Sequence, residues 1–161
     1  MAADILEISN ELAYRAYVMN RDQVRKRLSE ISFREYIALQ MISRIASDGS
    51  DRAYLKDLAD NMWLSTRQMS KLAGSLRDSG LVTWSHDGDG SDGTYLSITE
   101  RGKELISKNE ELLRKYYENV IEEYGREEII DLLLKMKKLE TIMQSEADDL
   151  QGEESEDEFS E

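Results

Sequence analysis

The stretch DGDGSDG, from Asp87 to Gly93, separates two short apolar runs, Leu81 to Trp84 (LVTW) and Tyr95 to Ile98 (YLSI). Three readings are open: a calcium loop, a flexible linker, or the tip of a β-hairpin. Counting tests the first. With Asp87 at the first position of a calcium loop, Asp89 and Ser91 fall on ligand positions. However, Asp92 stands where the sharp turn needs glycine, and Ile98 where a bidentate glutamate belongs. The flanks are β-type, Leu96 and Ile98 alternating with polar neighbours. Glycine and aspartate both tolerate positive φ and suit a turn. A hairpin tip accounts for these residues best.

Working outward, two short helical patterns precede the hairpin. Leu55, Leu58, Ala59 and Met62 recur at i, i+3, i+4 and i+7, and Met69, Leu72, Ala73 and Leu76 repeat that spacing. Ser65-Thr66-Arg67-Gln68 opens the second as a capping box, and Gly80 suits its left-handed end. Neither helix is long enough to stand alone, so each must bury its stripe. The tight link Asn61 to Leu64 makes the pair a helix-turn-helix. Helix, turn, helix and a two-stranded ribbon form a winged helix-turn-helix, with DGDGSDG as the wing.

Longer helices flank this module. Ile5, Ile8, Leu12, Ala16 and Met19 predict a helix from Asp4 to about Leu28. A capping box at Ser32 and Glu35 starts the next helix, which carries Tyr36, Ile37, Leu39, Gln40, Met41, Ile42 and Ile45 and ends at the turn Ser47 to Ser50. Beyond the wing, Thr99 caps a helix running to about Tyr124, Gly125 stops it, and a last helix spans Glu127 to about Ala147. The expected fold class is mainly α with a small β-hairpin wing, a winged helix-turn-helix flanked by terminal dimerisation helices. Residues 1–31 are expected to hold the N-terminal helix, 32–99 the winged helix-turn-helix, 100–147 the C-terminal helices, and 148–161 a disordered acidic tail.

Composition narrows the chemistry. The 161 residues include no cysteine and one histidine, His86, which argues against disulfides, thiolate metal sites and cysteine or histidine catalysis. No glycine-rich loop opens a helix, so no enzyme class and no cofactor is called for. No apolar run approaches the roughly 18 residues of a membrane span, and no signal peptide is evident, so a cytoplasmic protein without membrane contact is expected. The net charge is −13, but the segment Glu146 to Glu161 holds nine acids and no base, leaving −4 for the rest. A tail of that composition is expected to be disordered. Local charge therefore matters more than the total.

The segment YLKDLADNMWLSTRQMSKLAGSLRDSGLVTW, followed after the wing by YLSITERGKELI, resembles the MarR family of bacterial transcription regulators. The hydrophobic spacing, the LRDSGLV exit from the second helix and the TERG opening of the next carry the resemblance, which extends over about 145 residues. It implies a homodimer with interlocked terminal helices, two winged modules on a pseudo-palindromic operator, and in many relatives a small amphipathic or phenolic effector. The surplus apolar surface of the terminal helices fits such a dimer. One departure concerns the wing: the family's Asp-x-Arg element is missing, and Asp87 to Thr94 contains three acids and no arginine or lysine. Phosphates within about 8–10 Å would repel such a tip.

The helix Ser65 to Arg77 nonetheless reads as a DNA reader. It holds three bases and no acid, and burying its apolar stripe turns Arg67, Lys71 and Gly74 outward, flanked by Gln68, Ser70 and Ser75. Ser65, Thr66, Arg67, Gln68, Ser70, Lys71 and Arg77 are the candidate DNA-binding residues, since arginine and lysine pair with guanine, glutamine with adenine, and hydroxyls with phosphate or base. Arg52 and Lys56 are further phosphate candidates. Tyr14, Arg15, Tyr17, Tyr36 and Trp63 are the candidate effector residues, aromatic bodies with polar tips and one cation for an anionic group. The leading expectation is a sequence-specific repressor. The alternative is a winged-helix protein-interaction module that has lost DNA binding.

Overall fold

The computed structural model describes residues 4–21, 25–46, 49–88 and 93–157. Its elements in chain order are α1 (Ile5–Met19), a 3-10 turn (Arg25–Arg27), α2 (Phe33–Ala46), β1 (Ala53–Tyr54), α3 (Leu55–Met62), α4 (Thr66–Asp78), β2 (Val82–His86), β3 (Thr94–Ile98), α5 (Glu100–Tyr124) and α6 (Arg126–Asp157). The chain divides into two compact units, one ending at Arg114 and the other starting at Lys115.

The first unit is built around the helix-turn-helix. The stripe Met69, Leu72, Ala73 and Leu76 of α4 is buried, as are Leu55, Leu58 and Ala59 of α3. They join Ala38, Leu39 and Ile42 of α2, Leu81, Val82 and Leu96 of the sheet, and Leu105 and Ile106 of α5 in one core. Each large side chain so buried contributes about 1.5–3 kcal/mol, which is what holds two short helices that could not persist alone.

Both capping boxes close. The Ser65 hydroxyl accepts the Gln68 N–H at 3.1 Å, while the Gln68 side-chain oxygen accepts the Ser65 N–H at 3.0 Å. Ser32 and Glu35 make the same reciprocal pair at 3.2 and 3.0 Å. Gly80 ends α4 at φ +73°. Its carbonyl accepts the Thr99 hydroxyl at 2.7 Å, and that hydroxyl in turn caps α5 through the Gly102 N–H. The exit of α4 and the end of the ribbon are thus tied to one side chain.

β2 and β3 form the antiparallel ribbon, in register from Val82 opposite Ile98 to His86 opposite Thr94. The tip, Asp89 to Asp92, lies outside the described residues. A strand absent from the expected hairpin is added on its outer side: β1 pairs with β3 through Ala53–Leu96 and Tyr54–Tyr95, giving the sheet order β1-β3-β2. Two paired residues are too few to produce an alternating pattern, so sequence periodicity passes over them.

Two boundaries differ from expectation. The first helix ends at Met19, well short of Leu28, and Asn20 satisfies its end by donating to the Ala16 carbonyl at 3.1 Å. Residues 25–27 instead form the isolated 3-10 turn. α6 extends through Asp157, past the expected end near Ala147. Extending an existing helix requires no new nucleus, and Glu, Gln and Leu are good helix formers. Residues 158–161 lie outside the described residues.

Trp63 adopts φ 55°, ψ 43° at the end of α3, the left-handed conformation in which a residue with Cβ costs roughly 1–2 kcal/mol relative to a right-handed one. The second unit carries large exposed apolar side chains, including Ile130, Leu133, Leu134, Ile142 and Met143 on α6. α1 likewise contains no buried residue, and Ile5, Leu6, Tyr17 and Met19 are all exposed. Among the described residues, no helix is long and apolar enough to cross a membrane.

Candidate nucleic-acid interface

α4 offers an exposed face free of acids from Ser65 through Arg77. Arg67 and Lys71 are exposed on the side away from Met69, Leu72, Ala73 and Leu76, Ser70 is half-buried beside them, and Thr66 is exposed in the first turn. The first turn of a helix also presents unpaired backbone N–H groups and the positive end of its dipole, so phosphate is favoured there.

The other predicted contacts are partly engaged within the chain. The Gln68 carbonyl oxygen and the Ser65 hydroxyl close the cap, leaving the Gln68 side-chain N–H₂ as that residue's outward donor. The Arg77 guanidinium donates to Asp78 at 3.2–3.3 Å and lies 5.5 Å from the centre of the Trp84 ring. It braces the end of α4 against β2. Ser75 donates its hydroxyl to Glu35 at 2.8 Å. Burial tends to raise the Glu35 pKa, but hydrogen bonds from the Ser32 N–H, the Ser75 hydroxyl and the Ser32 hydroxyl outweigh it and hold the carboxyl below its ordinary value.

Sequence reasoning passed over Arg34. A cleft of about 380 Å³ is lined by Arg34, Gln68, Lys71, Leu72 and Ser75, so a cation of α2 joins Lys71 of α4 beside the exposed face. The signal available was a base in the first turn of α2, but only packing puts that turn next to α4.

At the base of the wing, Tyr54 donates its hydroxyl to Asp87 at 2.9 Å, and the Asp87 N–H reaches the Gly93 carbonyl at 3.0 Å. Arg52 lies over the Tyr95 ring at 4.5 Å, and Tyr54 meets Tyr95 edge to face. The first of the three wing acids is therefore held by a hydrogen bond near a cation. The other two, Asp89 and Asp92, lie outside the described residues.

The candidate effector residues differ in their exposure. Tyr36 is 2% exposed, and its hydroxyl accepts a hydrogen bond from Gln40 at 2.6 Å. Burial first, then the nearby Glu110 charge, raises its pKa despite that bond, so the phenol is held neutral. Arg15 pairs with Glu11 at 2.6 Å and lies over Tyr14. Tyr14, Tyr17 and Trp63 are exposed. None of the five lines the cleft at Arg34, nor a second cleft of about 510 Å³ lined by Ser43, Ala46, Asp51, Ser97, Ile98 and Lys103.

No protein-family model and no curated protein matches the sequence. Solved structures do. A MarR family transcriptional regulator from Rhodococcus sp. RHA1 superposes with a TM-score of 0.69 at 18% identity, covering 86% of this chain and 96% of that one. BpsR of Bordetella bronchiseptica, whose DNA binding is regulated by 6-hydroxynicotinic acid, gives 0.67 at 14% identity, covering 86% and 97%. MepR of S. aureus, solved in complex with DNA, gives 0.64 at 13% identity, covering 88% and 99%. The superpositions extend over nearly the whole of each solved chain, and the fold of this chain is the winged helix-turn-helix of the MarR family regulators.

Proposed function

We propose that the chain is a transcription regulator that binds double-stranded DNA as a homodimer and acts as a repressor. The observation that carries this reading is the acid-free outer face of α4 in a chain of net charge −13. Arg67 and Lys71 are the residues for guanine edges, and Thr66 and Ser70 those for phosphate or base. Ser65 places the start of the helix for a phosphate, and the Gln68 N–H₂ adds one donor. Arg77 acts from the end of the helix, where it also braces Trp84. Such modules dock with the amino-terminal residues of the second helix in the major groove.

The exposed apolar side chains of α1 and α6 support the homodimer, since a second copy would remove them from water. A small aromatic effector is part of the proposal by analogy with BpsR, which responds to 6-hydroxynicotinic acid. Tyr14, Arg15, Tyr17, Tyr36 and Trp63 remain its candidate contacts, although in a lone chain none of them lines either of the two clefts.

Selection from randomised duplexes, followed by a salt titration, tests the reading. Enrichment of an inverted repeat with half-sites about one helical turn apart is expected. Affinity should fall steeply with salt, with the slope reduced by about one for each phosphate contact removed. Arg67→Ala with Lys71→Ala should abolish selection. Absence of enrichment, with no binding even at about 50 mM salt, would leave the protein-interaction module as the better account.

A further inference from the structure

We propose that Trp63, in the turn of the helix-turn-helix, is a DNA-backbone contact that packs its indole on the sugar–phosphate chain beside the amino end of α4. The inference rests on the DNA-binding reading above and adds a contact to it.

Three observations lead to Trp63. First, it sits at φ 55° in the left-handed region, where glycine is the natural occupant of such a turn and a tryptophan is strained. Second, that strain is not offset by burial: Trp63 is 57% exposed, whereas its neighbours Met62 and Leu64 pack against the core. A strained, exposed, bulky residue is costly to the isolated fold, and outliers of this kind concentrate at functional positions. Third, its place in the chain decides the partner. Trp63 stands two residues before the cap Ser65 and three before Thr66, so its Cα lies at most about 11 Å from that of Thr66.

Any docking that brings Thr66, Arg67 and Lys71 to a duplex therefore brings Trp63 close to a strand. Tryptophan suits that place. Its apolar faces pack on deoxyribose, and its ring N–H is a donor with no acceptor function, matched to a phosphate oxygen. A contact of that kind is independent of base sequence and fixes the register of the helix.

The test uses the full chain and a fluorescein-labelled mixed-sequence duplex of about 30 bp at about 50 mM salt, conditions that report sequence-independent binding. Trp63→Gly should weaken binding about tenfold, with the melting temperature unchanged or raised because strain is removed. Trp63→Phe should lose about threefold, since the ring remains and the N–H donor is gone. The emission difference between wild type and Trp63→Phe, which isolates Trp63 from Trp84, should change when duplex is added.

Wild-type affinity in Trp63→Gly would overturn the proposal. So would a fall in its melting temperature, or weaker binding accompanied by loss of the dimer in sedimentation, because Trp63 would then be a core or subunit contact. Arg67→Ala with Lys71→Ala separates the two levels. If that pair abolishes binding while Trp63→Gly does not weaken it, only the Trp63 contact falls. If the wild-type protein binds no duplex, the DNA reading falls and takes this inference with it.

Discussion

The Ser75 hydroxyl of α4 donates to one oxygen of Glu35 on α2 at 2.8 Å, while the other oxygen of that carboxylate accepts the Ser32 N–H at 3.0 Å. One side chain thus caps α2 and tethers the middle of α4, forty positions further along the chain. α4 is positioned by this bond as well as by its buried stripe.

Removing the tether has a pH signature. The Glu35 carboxyl is held below its ordinary value of 4.5. It therefore stabilises the fold above about pH 4.5, and that contribution is lost as the pH falls through the depressed folded-state value. Glu35→Ala should cost about 1 kcal/mol at pH 7, for a lost cap and a partly exposed bond to α4. Urea titrations at pH 7 and pH 3 check this. The difference from wild type should be clear at the first and largely gone at the second.

Asn109 ties the segment before α2 to α5. It is fully buried, accepts the Ser29 N–H at 2.8 Å, and donates to the carbonyls of Ser29 at 3.1 Å and Leu105 at 2.9 Å. Asn109→Leu supplies apolar volume but leaves the Ser29 N–H and carbonyl without that partner, at a cost of roughly 2–3 kcal/mol. Equilibrium unfolding should show this loss. A change under about 0.5 kcal/mol would mean that water replaces the amide at both backbone groups.

What could be read in advance divides along physical lines. Ser32, Ser65, Gly80 and Gly125 announce helix ends because capping and left-handed turns depend on neighbours in sequence, and the apolar stripe of α4 depends only on its own period. The Glu35–Ser75 bond, the Asn109 clamp and Arg34 beside Lys71 were not legible, because each joins residues brought together only by the fold. The left-handed conformation of Trp63 was not legible for the opposite reason: nothing about tryptophan signals such a turn. On the candidate site, the sequence marked the face of α4 but not which of its residues, Gln68, Ser75 and Arg77, the fold also uses for itself.

The dimer proposal singles out α6. Leu133 is 57% exposed, so Leu133→Glu removes little from the core of an isolated chain. In a dimer that covers α6 it would bury an unpaired carboxylate, which is strongly destabilising. Sedimentation of the variant should show monomer at concentrations where the wild type is dimeric, with DNA affinity falling in parallel. A monomeric wild type would count against the dimer itself.

Two glycines separate fold from interface. A Cβ on Gly102, in the first turn of α5, would lie 2.3 Å from the Leu81 carbonyl oxygen and 2.8 Å from a methyl carbon of Ile98. Backbone on one side and core on the other leave no room, so Gly102→Ala should destabilise by about 1–3 kcal/mol. Gly74, in the middle of α4, lies on the helix face that carries Arg67 and Lys71, and an added methyl there would meet nothing within 4 Å. Gly74→Ala should therefore stabilise the helix by about 0.5–1 kcal/mol. If the helix lies in a groove with its backbone close to DNA, the same methyl should weaken duplex binding several-fold. Thermal melts and duplex titrations on the one variant would then move in opposite directions, which a merely solvated face would not produce. Higher stability with unchanged affinity would place this part of α4 away from the DNA.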